Sequence, residues 1–283
     1  MKGKTCIITG ATDGIGFEAA ARLGALGARL ILVGRNRAKG EDALKRLTAR
    51  VPGVVAEMHF ADLSRRADIM RLAPDLLQSA PRIDVLLNNA GALFTRREVT
   101  EDGLERTFAL NHMGYFLLTH LLRDRIIASA PARIVNVASE AHRKATLDFT
   151  DLQNARHYDG IETYRRSKLC NILFTRELSR QLQGTGVTAN ALHPGFVASR
   201  FGDNNHGLFR VALALTKGFM AISVARGAET PVYVASSAEL EGISGRYFDK
   251  CRERVPNAAA QNDQDAVRLW RESFALAGLP ALS

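Results

Sequence analysis

The stretch that decides the fold is Thr9-Gly10-Ala11-Thr12-Asp13-Gly14-Ile15-Gly16, which joins a short apolar segment to a helical pattern. Gly10 permits a tight turn, Gly14 lets the backbone approach a pyrophosphate, and Gly16 lets a helix pack closely on a strand. The first turn of such a helix offers backbone N–H groups to phosphate. This GxxxGxG spacing predicts a dinucleotide-phosphate site, although the same glycines would also suit a turn that binds nothing. The expected contacts are Gly10, Thr12, Asp13, Gly14, Ile15 and Gly16.

Outward from this turn, short β-branched segments alternate with longer helical patterns. The predicted strands are residues 5–9, 29–33, 54–59, 83–87, 133–137, 187–192 and 246–248. The predicted helices are residues 14–26, 37–50, 67–79, 103–127, 162–182 and 225–236. Nearly every strand position is apolar, as in strands buried on both faces of a sheet. The order predicts an α/β fold with a Rossmann-type, doubly wound, seven-stranded parallel sheet, in a single domain over residues 1–283.

Composition limits the class of protein. The chain has 283 residues, of which 46% are hydrophobic, which excludes intrinsic disorder and suffices for a large core. Its three cysteines lie too far apart for a disulfide framework or a CxxC metal motif, so a reduced, cytoplasmic protein is expected. The formal net charge of +9 favours anionic partners. Because the basic residues form no continuous run and no recognition motif is present, no nucleic acid partner is expected.

Residues 207–225 are the most apolar long segment. They carry Arg210 and Lys217 on one helical face and apolar residues on the other, so the segment is amphipathic rather than membrane-spanning. We predict that residues 199–226 form a lid over an apolar substrate, with packing against the core or a subunit, or peripheral contact with a membrane, as alternatives. No signal peptide or transmembrane segment is expected, because the apolar run after Lys4 is too short. Residues 256–283 are predicted to form a helical tail, with its helix at 263–277.

The end of the second predicted strand indicates the cofactor preference. An acidic residue here would bind the ribose 2′-hydroxyl of NAD(H), but the sequence has Gly34 followed by Arg35. A guanidinium suits a 2′-phosphate, so NADP(H) is favoured over NAD(H), with Arg37 able to assist. Asp13 argues against this preference, because it places a negative charge near the phosphates. The alternative is that both arginines are solvated residues at a helix start.

With these features the sequence resembles the short-chain dehydrogenase/reductase family over about residues 3–250. Besides the glycine turn, the matching motifs are Asp62-Leu63, Asn88-Asn89-Ala90-Gly91, Asn111, Ser139, Tyr164, Lys168 and Pro194-Gly195. The catalytic residues that the resemblance implies are Asn111, Ser139, Tyr164 and Lys168. The further cofactor-binding residues proposed beside the glycine turn and Arg35 are Asp62, Leu63, Asn88, Ala90, Gly91, Tyr164, Lys168, Pro194, Gly195, Val197 and Ser199.

Two features resemble the retinol dehydrogenase and WW-domain oxidoreductase-like branch of this family. They are the stretch from Tyr164 to Asn171, together with Asp151-Leu152, and the 25-residue interval between Ser139 and Tyr164. The branch implies an NADP(H)-preferring oxidoreductase of the EC 1.1.1 type. It would interconvert an apolar alcohol and its aldehyde or ketone, as a retinol dehydrogenase or carbonyl reductase does with retinoid-, steroid- or lipid-like substrates.

The resemblance also concerns assembly and membrane attachment. It implies a homo-oligomer formed through the helices that flank Asn111 and Tyr164. Vertebrate members of the branch often carry an N-terminal membrane helix, which this sequence is not expected to have, because it starts at the first predicted strand.

The residue types support these catalytic roles. Tyr164 and Lys168 are four apart on a predicted helix, so they share one face. A nearby ammonium favours a phenolate, so Lys168 is expected to lower the pKa of Tyr164, which then exchanges a proton with the substrate. Ser139 is expected to hold the substrate oxygen and stabilise developing charge. Asn111 stands inside a predicted helix, where Asn is unfavourable; the resemblance implies that its backbone region holds a water that relays protons to Lys168.

Other readings of the sequence stay open. A non-catalytic, dinucleotide-sensing scaffold is the alternative function, since a fold does not fix an activity. No metal is expected, because the seven histidines show no HExxH motif and no clustered ligand spacing. His193 is expected to pack at a strand end. His142, three residues after Ser139, is expected either to line the substrate site or to face solvent.

Overall fold

The computed structural model of the chain describes residues 1–195 and 223–279. Within these ranges the strands are β1 (Thr5–Thr9), β2 (Arg29–Gly34), β3 (Ala56–Phe60), β4 (Val85–Asn88), β5 (Ala132–Val137), β6 (Val187–His193), β7 (Tyr247–Asp249) and β8 (Arg252–Glu253). The α-helices are α1 (Gly14–Ala25), α2 (Arg37–Arg50), α3 (Arg66–Ser79), α4 (Arg106–Phe108), α5 (Gly114–Ala128), α6 (Gly160–Gln181), α7 (Val224–Gly227), α8 (Glu229–Ser236) and α9 (Asp263–Ala277). A π-helical turn (Ala109–Met113) joins α4 to α5, and 3₁₀ turns lie at Glu140–Lys144, Ala238–Leu240 and Ala258–Gln261.

The strands form one sheet in the order β3-β2-β1-β4-β5-β6-β7-β8. β1 to β7 are parallel, which confirms the predicted doubly wound Rossmann-type fold. The predicted number of strands was one too few, because β8 adds a short antiparallel edge to β7. Both β8 residues are charged and exposed, so no apolar pattern marked the strand. Lys250 and Cys251, both at positive φ, make the tight turn that leads into it.

Alternate residues of the central strands feed two cores on opposite faces of the sheet. Ile7 and Leu86 belong to the core beneath α3, α5, α6 and α9, whereas Ile8 and Leu87 belong to the core beneath α1, α2 and α8. A strand buried on both faces reads as a continuous apolar run, which is the pattern on which the prediction rested. The chain reverses its winding between β1 and β4, and a sheet of this kind binds ligands outside the carboxyl ends of its strands at that point.

Two predicted helices are interrupted in the structure. The helix predicted at 103–127 consists of α4, the π turn and α5, and the one predicted at 225–236 is divided at Ala228 into α7 and α8. Neither break changes the apolar periodicity, so the sequence pattern could not show it. The tail helix predicted at 263–277 is confirmed as α9.

Helix α9 packs across α5 and α6. Trp270 lies 5.4 Å from Phe116 of α5 and 5.9 Å from Phe174 of α6, measured between ring centroids. Asp263 at the start of α9 accepts a hydrogen bond from Arg176 of α6. The chain's own tail thus covers part of the helix faces on which subunit contacts were expected, and the homo-oligomer stays a prediction.

The segment expected to act as a lid, 199–226, lies outside the described residues except for 223–226. Over residues 1–195 and 223–279, no helix combines the length and the hydropathy needed to cross a membrane.

Candidate active site

The glycine turn brings three backbone segments into close contact. Gly10 adopts φ +65°, and a Cβ there would lie 2.8 Å from the Cα of Ala90 in the loop after β4. A Cβ on Gly16 would lie 2.3 Å from the carbonyl oxygen of Gly10. Any side chain at either position would force the turn away from α1 and β4. The geometry therefore agrees with the predicted roles of Gly10 in a tight turn and of Gly16 in close packing of the helix.

Asp13 is the N-cap of α1. Its carboxylate accepts a hydrogen bond of 2.8 Å from the backbone N–H of Gly14. The negative charge that counted against the NADP(H) preference is thus engaged by the helix N-terminus, where a carboxylate is favourable.

Asn89, which the sequence prediction left out, braces the glycine turn. Its side-chain amide donates to the carbonyls of Thr9 and Gly10, at 2.9 and 3.3 Å. The hydroxyl of Thr9 accepts from the backbone N–H groups of Asn89 and Ala90. The signal was available, because Asn89 is the first residue beyond a buried strand.

Asn88, which the prediction included, is used differently. It is fully buried at the end of β4, and its amide donates to Thr119 and Asn136, at 3.0 and 2.9 Å. Asn136 in turn donates to Thr175 of α6. Asn88 therefore links the sheet to α5 and α6, while Ala90 and Gly91 remain at the carboxyl edge.

Gly34, the last residue of β2, occupies the position where an acidic residue would bind the ribose 2′-hydroxyl of NAD(H). A Cβ on Gly34 would lie 2.5 Å from the methyl group of Thr12 in the glycine turn. Arg35 next to it is exposed, and its guanidinium lies 3.5 Å from Asp62. Arg37 instead stacks over the ring of Phe60, 4.6 Å from its centroid. Of the two arginines, Arg35 is the one aimed at the predicted adenine-binding residue.

Asp62 is held ionised between β3 and α3. Burial opposes its charge, but hydrogen bonds from the hydroxyl and backbone N–H of Ser64, with the charge of Arg35, bring its pKa below the usual value. Leu63 is buried, and its carbonyl lies close to the bare Cα of Gly114 at the start of α5. Both residues thus lie at the carboxyl edge of β3, as predicted.

Asn111 stands in the π turn, fully buried. Its side-chain oxygen accepts from the N–H of Ala92, and its amide donates to the carbonyl of Ala92 and to the hydroxyl of Ser167, each at 2.9 Å. Single π turns inside α-helices are frequent at functional sites. The side chain of Asn111 therefore joins the loop after β4 to the helix that carries Tyr164 and Lys168.

Ser139, Tyr164 and Lys168 meet at the carboxyl ends of β4 and β5. The side chains of Ser139 and Tyr164 are hydrogen-bonded to each other. The ammonium of Lys168 lies 5.7 Å from the ring centroid of Tyr164 and donates to the carbonyl of Val137, at 2.9 Å. The four predicted catalytic residues, which span 58 positions of the sequence, are thus brought together on one side of the sheet edge.

Burial sets the protonation of this cluster. It raises the pKa of Tyr164 to about 12, against which the hydrogen bond from Ser139 acts, and lowers the pKa of Lys168 to about 7. The expectation that Lys168 would lower the pKa of Tyr164 was wrong for the protein's own groups, because desolvation outweighs the attraction between them. At neutral pH the phenol therefore holds its proton.

His142 does not face solvent, which was one of its two predicted positions. It is fully buried, with Nδ1 2.6 Å from the carbonyl oxygen of Ser139 and its ring 5.0 Å from that of Tyr247. His142 thus bonds the backbone of Ser139 from within the core. His193 is the last residue of β6, as predicted for strand-end packing.

Pro194 and Gly195 follow β6, and Gly195 adopts φ +89°. Val197 and Ser199 lie outside the described residues. Within 1–195 and 223–279, no group of three or more His, Cys, Asp or Glu side chains could hold a metal ion.

The residues fit a dinucleotide. The N-terminus of α1 can take the pyrophosphate, the exposed guanidinium of Arg35 suits a phosphate, and Gly91 has a bare Cα face next to Lys168. A Cβ on Gly91 would lie 3.4 Å from the Lys168 ammonium, so Gly91 and Lys168 are direct neighbours at the carboxyl edge.

Comparison with known proteins agrees with this geometry. The family model described as short chain dehydrogenase matches residues 4–206. Human retinol dehydrogenase 14 is 42% identical over 99% of this chain and 88% of its own length, and chicken WW domain-containing oxidoreductase is 39% identical over 96% and 68%. A crystal structure of an uncharacterized protein from Mycobacterium paratuberculosis superposes with a TM-score of 0.80, at 29% identity, over 100% of this chain and 96% of that one. The chain belongs to the short-chain dehydrogenase/reductase family, in its retinol dehydrogenase-like branch.

Proposed function

We propose that this oxidoreductase interconverts an apolar alcohol and its aldehyde or ketone with NADP(H), and that Tyr164 is its acid/base. The observation that carries the proposal is the cluster of Ser139, Tyr164 and Lys168, clamped by Asn111 beside a glycine turn. Membership of the family supports an oxidoreductase that acts on alcohols and binds a nicotinamide dinucleotide.

Ser139 and Tyr164 have separate roles in the proposed carbonyl reduction. A nicotinamide dinucleotide bound along Gly10–Gly16 and Gly91 supplies the hydride. The hydroxyl of Ser139 accepts from the N–H of Ala141, at 3.2 Å, which fixes the oxygen that holds the substrate carbonyl. Tyr164, with its pKa raised to about 12, is protonated and donates to the substrate oxygen.

Alcohol oxidation requires the opposite proton transfer. Tyr164 must then lose its proton, which a charged ammonium at Lys168 favours. Because burial lowers the pKa of Lys168 to about 7, the ammonium is only partly charged at neutral pH. Tyr164 is therefore in the protonation state that reduction needs, whereas oxidation first requires the phenol to lose its proton.

NADP(H) preference rests on the end of β2. A side chain at Gly34 would crowd Thr12, which disfavours a carboxylate that would bind a ribose 2′-hydroxyl, and Arg35 offers a guanidinium instead. The substrate class rests on the relatives, which include retinol dehydrogenases 12 to 14 at 39–42% identity. A retinoid-like or other apolar carbonyl is therefore the proposed substrate. The two fully buried free thiols, Cys6 and Cys170, support a reducing compartment such as the cytoplasm.

The proposal is tested by steady-state kinetics with NADPH and NADH across retinoids, steroids, aliphatic aldehydes and quinones. We expect Tyr164→Phe to lower kcat by at least about 100-fold, the usual contribution of a general acid, with little change in NADPH affinity. Tyr233→Phe is the matched control, because the hydroxyl of Tyr233 bonds Glu239, an exposed residue of the 3₁₀ turn after α8. Full turnover by Tyr164→Phe would refute the mechanism.

Two further results bear on the proposal. Arg35→Asp should weaken NADPH binding relative to NADH, and an unchanged ratio would remove Arg35 from the 2′-phosphate site. Tight NADPH binding without turnover of any carbonyl would favour the dinucleotide-sensing scaffold instead.

A further inference from the structure

The face of α6 that carries the catalytic residues contacts the loop that follows β4. Gly160, Tyr164 and Lys168 are spaced by four along α6, so they lie on one face. Gly91 lies next to Lys168, 3.4 Å from its ammonium, as judged from an added Cβ. At the other end, a Cβ on Gly160 would lie 2.4 Å from the carbonyl oxygen of Phe94. Residues 91–95 therefore connect Lys168 and Gly160, the two ends of the stretch of α6 that contains Tyr164.

This loop is anchored at its two ends by different groups. At the first end, Asn111 grips both the N–H and the carbonyl of Ala92, each at 2.9 Å. At the other end, the hydroxyl of Tyr158 donates to the carbonyl of Phe94, at 2.8 Å, with the carboxylate of Glu105 a second acceptor at 3.2 Å. The Asn111 anchor belongs to the catalytic cluster. The Tyr158 anchor belongs to the interval before α6 that is long in this chain.

The surroundings of Tyr158 are built to hold it in place. Glu105 is fully buried and also accepts from the backbone N–H groups of Thr107 and Phe108, at 2.9 and 2.7 Å. Its own N–H donates to the side chain of Gln153, at 2.8 Å. Burial and the nearby carboxylate raise the pKa of Tyr158 to about 12, so its hydroxyl keeps its proton as a donor throughout the neutral range.

We propose that Tyr158 is a positioning residue that determines substrate specificity, because it fixes residues 93–95 as one wall of the site beside Tyr164. The inference rests on the proposed function for the identity of the substrate as an apolar carbonyl. Tyr158 bonds Phe94 and Glu105, neither of which is proposed to bind the cofactor, and its loss leaves the Asn111 anchor in place. Its loss should therefore affect how a bulky substrate binds, and not the cofactor or the proton transfer.

The test compares Tyr158→Phe with Tyr233→Phe, a control that removes a hydroxyl bonded to the exposed Glu239. Substrates are a bulky apolar aldehyde, such as a retinaldehyde, and a three-carbon aldehyde too short to reach the wall. Losing the anchoring hydrogen bond should raise KM for the bulky aldehyde by about tenfold. For the short aldehyde, for NADPH and for kcat, we expect changes below about twofold. Equal KM changes for both aldehydes, or none, would overturn the proposal.

A second variant and a second readout keep the proposal testable without turnover. Gly160→Ala should push Phe94 away and raise KM for the bulky aldehyde in the same direction. Hydrogen exchange should speed up in peptides that cover residues 92–97 of Tyr158→Phe and stay unchanged at 111–119. If wild type turns over no carbonyl, the proposed function fails while the exchange result still decides the anchor. If wild type is active and exchange at 92–97 is unaltered, only the present inference fails.

Discussion

Replacing Lys168 with methionine should stabilise the protein on its own. Lys168 is 3% exposed, and burial lowers the pKa of its ammonium from 10.5 to about 7. Below pH 7 the folded chain must hold a charged group that the interior disfavours. The difference between the two pKa values corresponds to roughly 5 kcal/mol at about 1.36 kcal/mol per pH unit. Methionine has nearly the same length and no charge, so it removes this penalty.

The lost hydrogen bond offsets only part of the gain. The Lys168 ammonium donates to the carbonyl of Val137, but that carbonyl also accepts from the amide of Asn171, at 3.2 Å. The carbonyl is therefore not left without a partner, and the cost should be about 1 kcal/mol. We expect Lys168→Met to raise the free energy of unfolding at pH 7 by about 2–4 kcal/mol once both effects are counted.

The sign of the pH dependence follows from proton binding. Between pH 7 and 10.5 the unfolded chain binds more protons than the folded one, so wild-type stability rises with pH across this window. The variant lacks this dependence, and its advantage should be constant below about pH 7 and vanish near pH 10.

Urea denaturation followed by the fluorescence of Trp270, the single tryptophan, measures the difference at pH 6, 7, 8, 9 and 10. Lys45→Met on the exposed surface of α2 is the control and should give a difference independent of pH. A gap between Lys168→Met and wild type that stays flat from pH 6 to 10 would refute the reasoning.

Three further substitutions probe contacts that the structure alone reveals. Gly34→Asp should lower the free energy of unfolding by about 1–3 kcal/mol, because its Cβ meets the Thr12 methyl group at 2.5 Å; adding Thr12→Ser should recover most of the loss in urea titrations. Ser273→Ala should lower the free energy of unfolding by about 1–3 kcal/mol, because the buried Nε2 of His112 loses its partner at 2.7 Å. The control Ser236→Ala on α8 should lower it by less than about 1 kcal/mol. Glu18→Gln should destabilise at pH 7, because Arg50 and Arg22 lower the pKa of Glu18; calorimetry should show the deficit shrinking as the pH falls below 4.5, and a constant deficit would contradict the ion pair.

The long-range contacts of the site mark the limit of prediction from sequence. Ser139, Tyr164 and Lys168 were identified through the family resemblance, and their positions after a strand and on one helix face agreed with it. Ser167 and Tyr158 were not singled out for a role, because their partners lie 56 and 64 positions away in sequence. A local pattern contains no record of which distant backbone group a side chain will meet.

The same limit applies to electrostatics. The sequence placed Lys168 beside Tyr164 and suggested a lowered phenol pKa. The folded chain buries both groups, so desolvation raises the pKa of one and lowers that of the other. Burial depends on α5, α6 and the loop after β4 together, and spacing on one helix does not determine it.

The sequence by itself therefore predicted the glycine turn at Thr9–Gly16 and the fold around it. Tight turns, buried strands and helix faces depend on residues close in sequence, so the doubly wound sheet, its order of elements and the position of the site at one edge could be predicted. Only the tertiary structure decided that a side chain at Gly34 would crowd Thr12, that Asn111 sits in a π turn, and that Tyr158 anchors Phe94. Each of these depends on atoms brought within about 3 Å from separate elements, a distance that packing sets and local sequence does not.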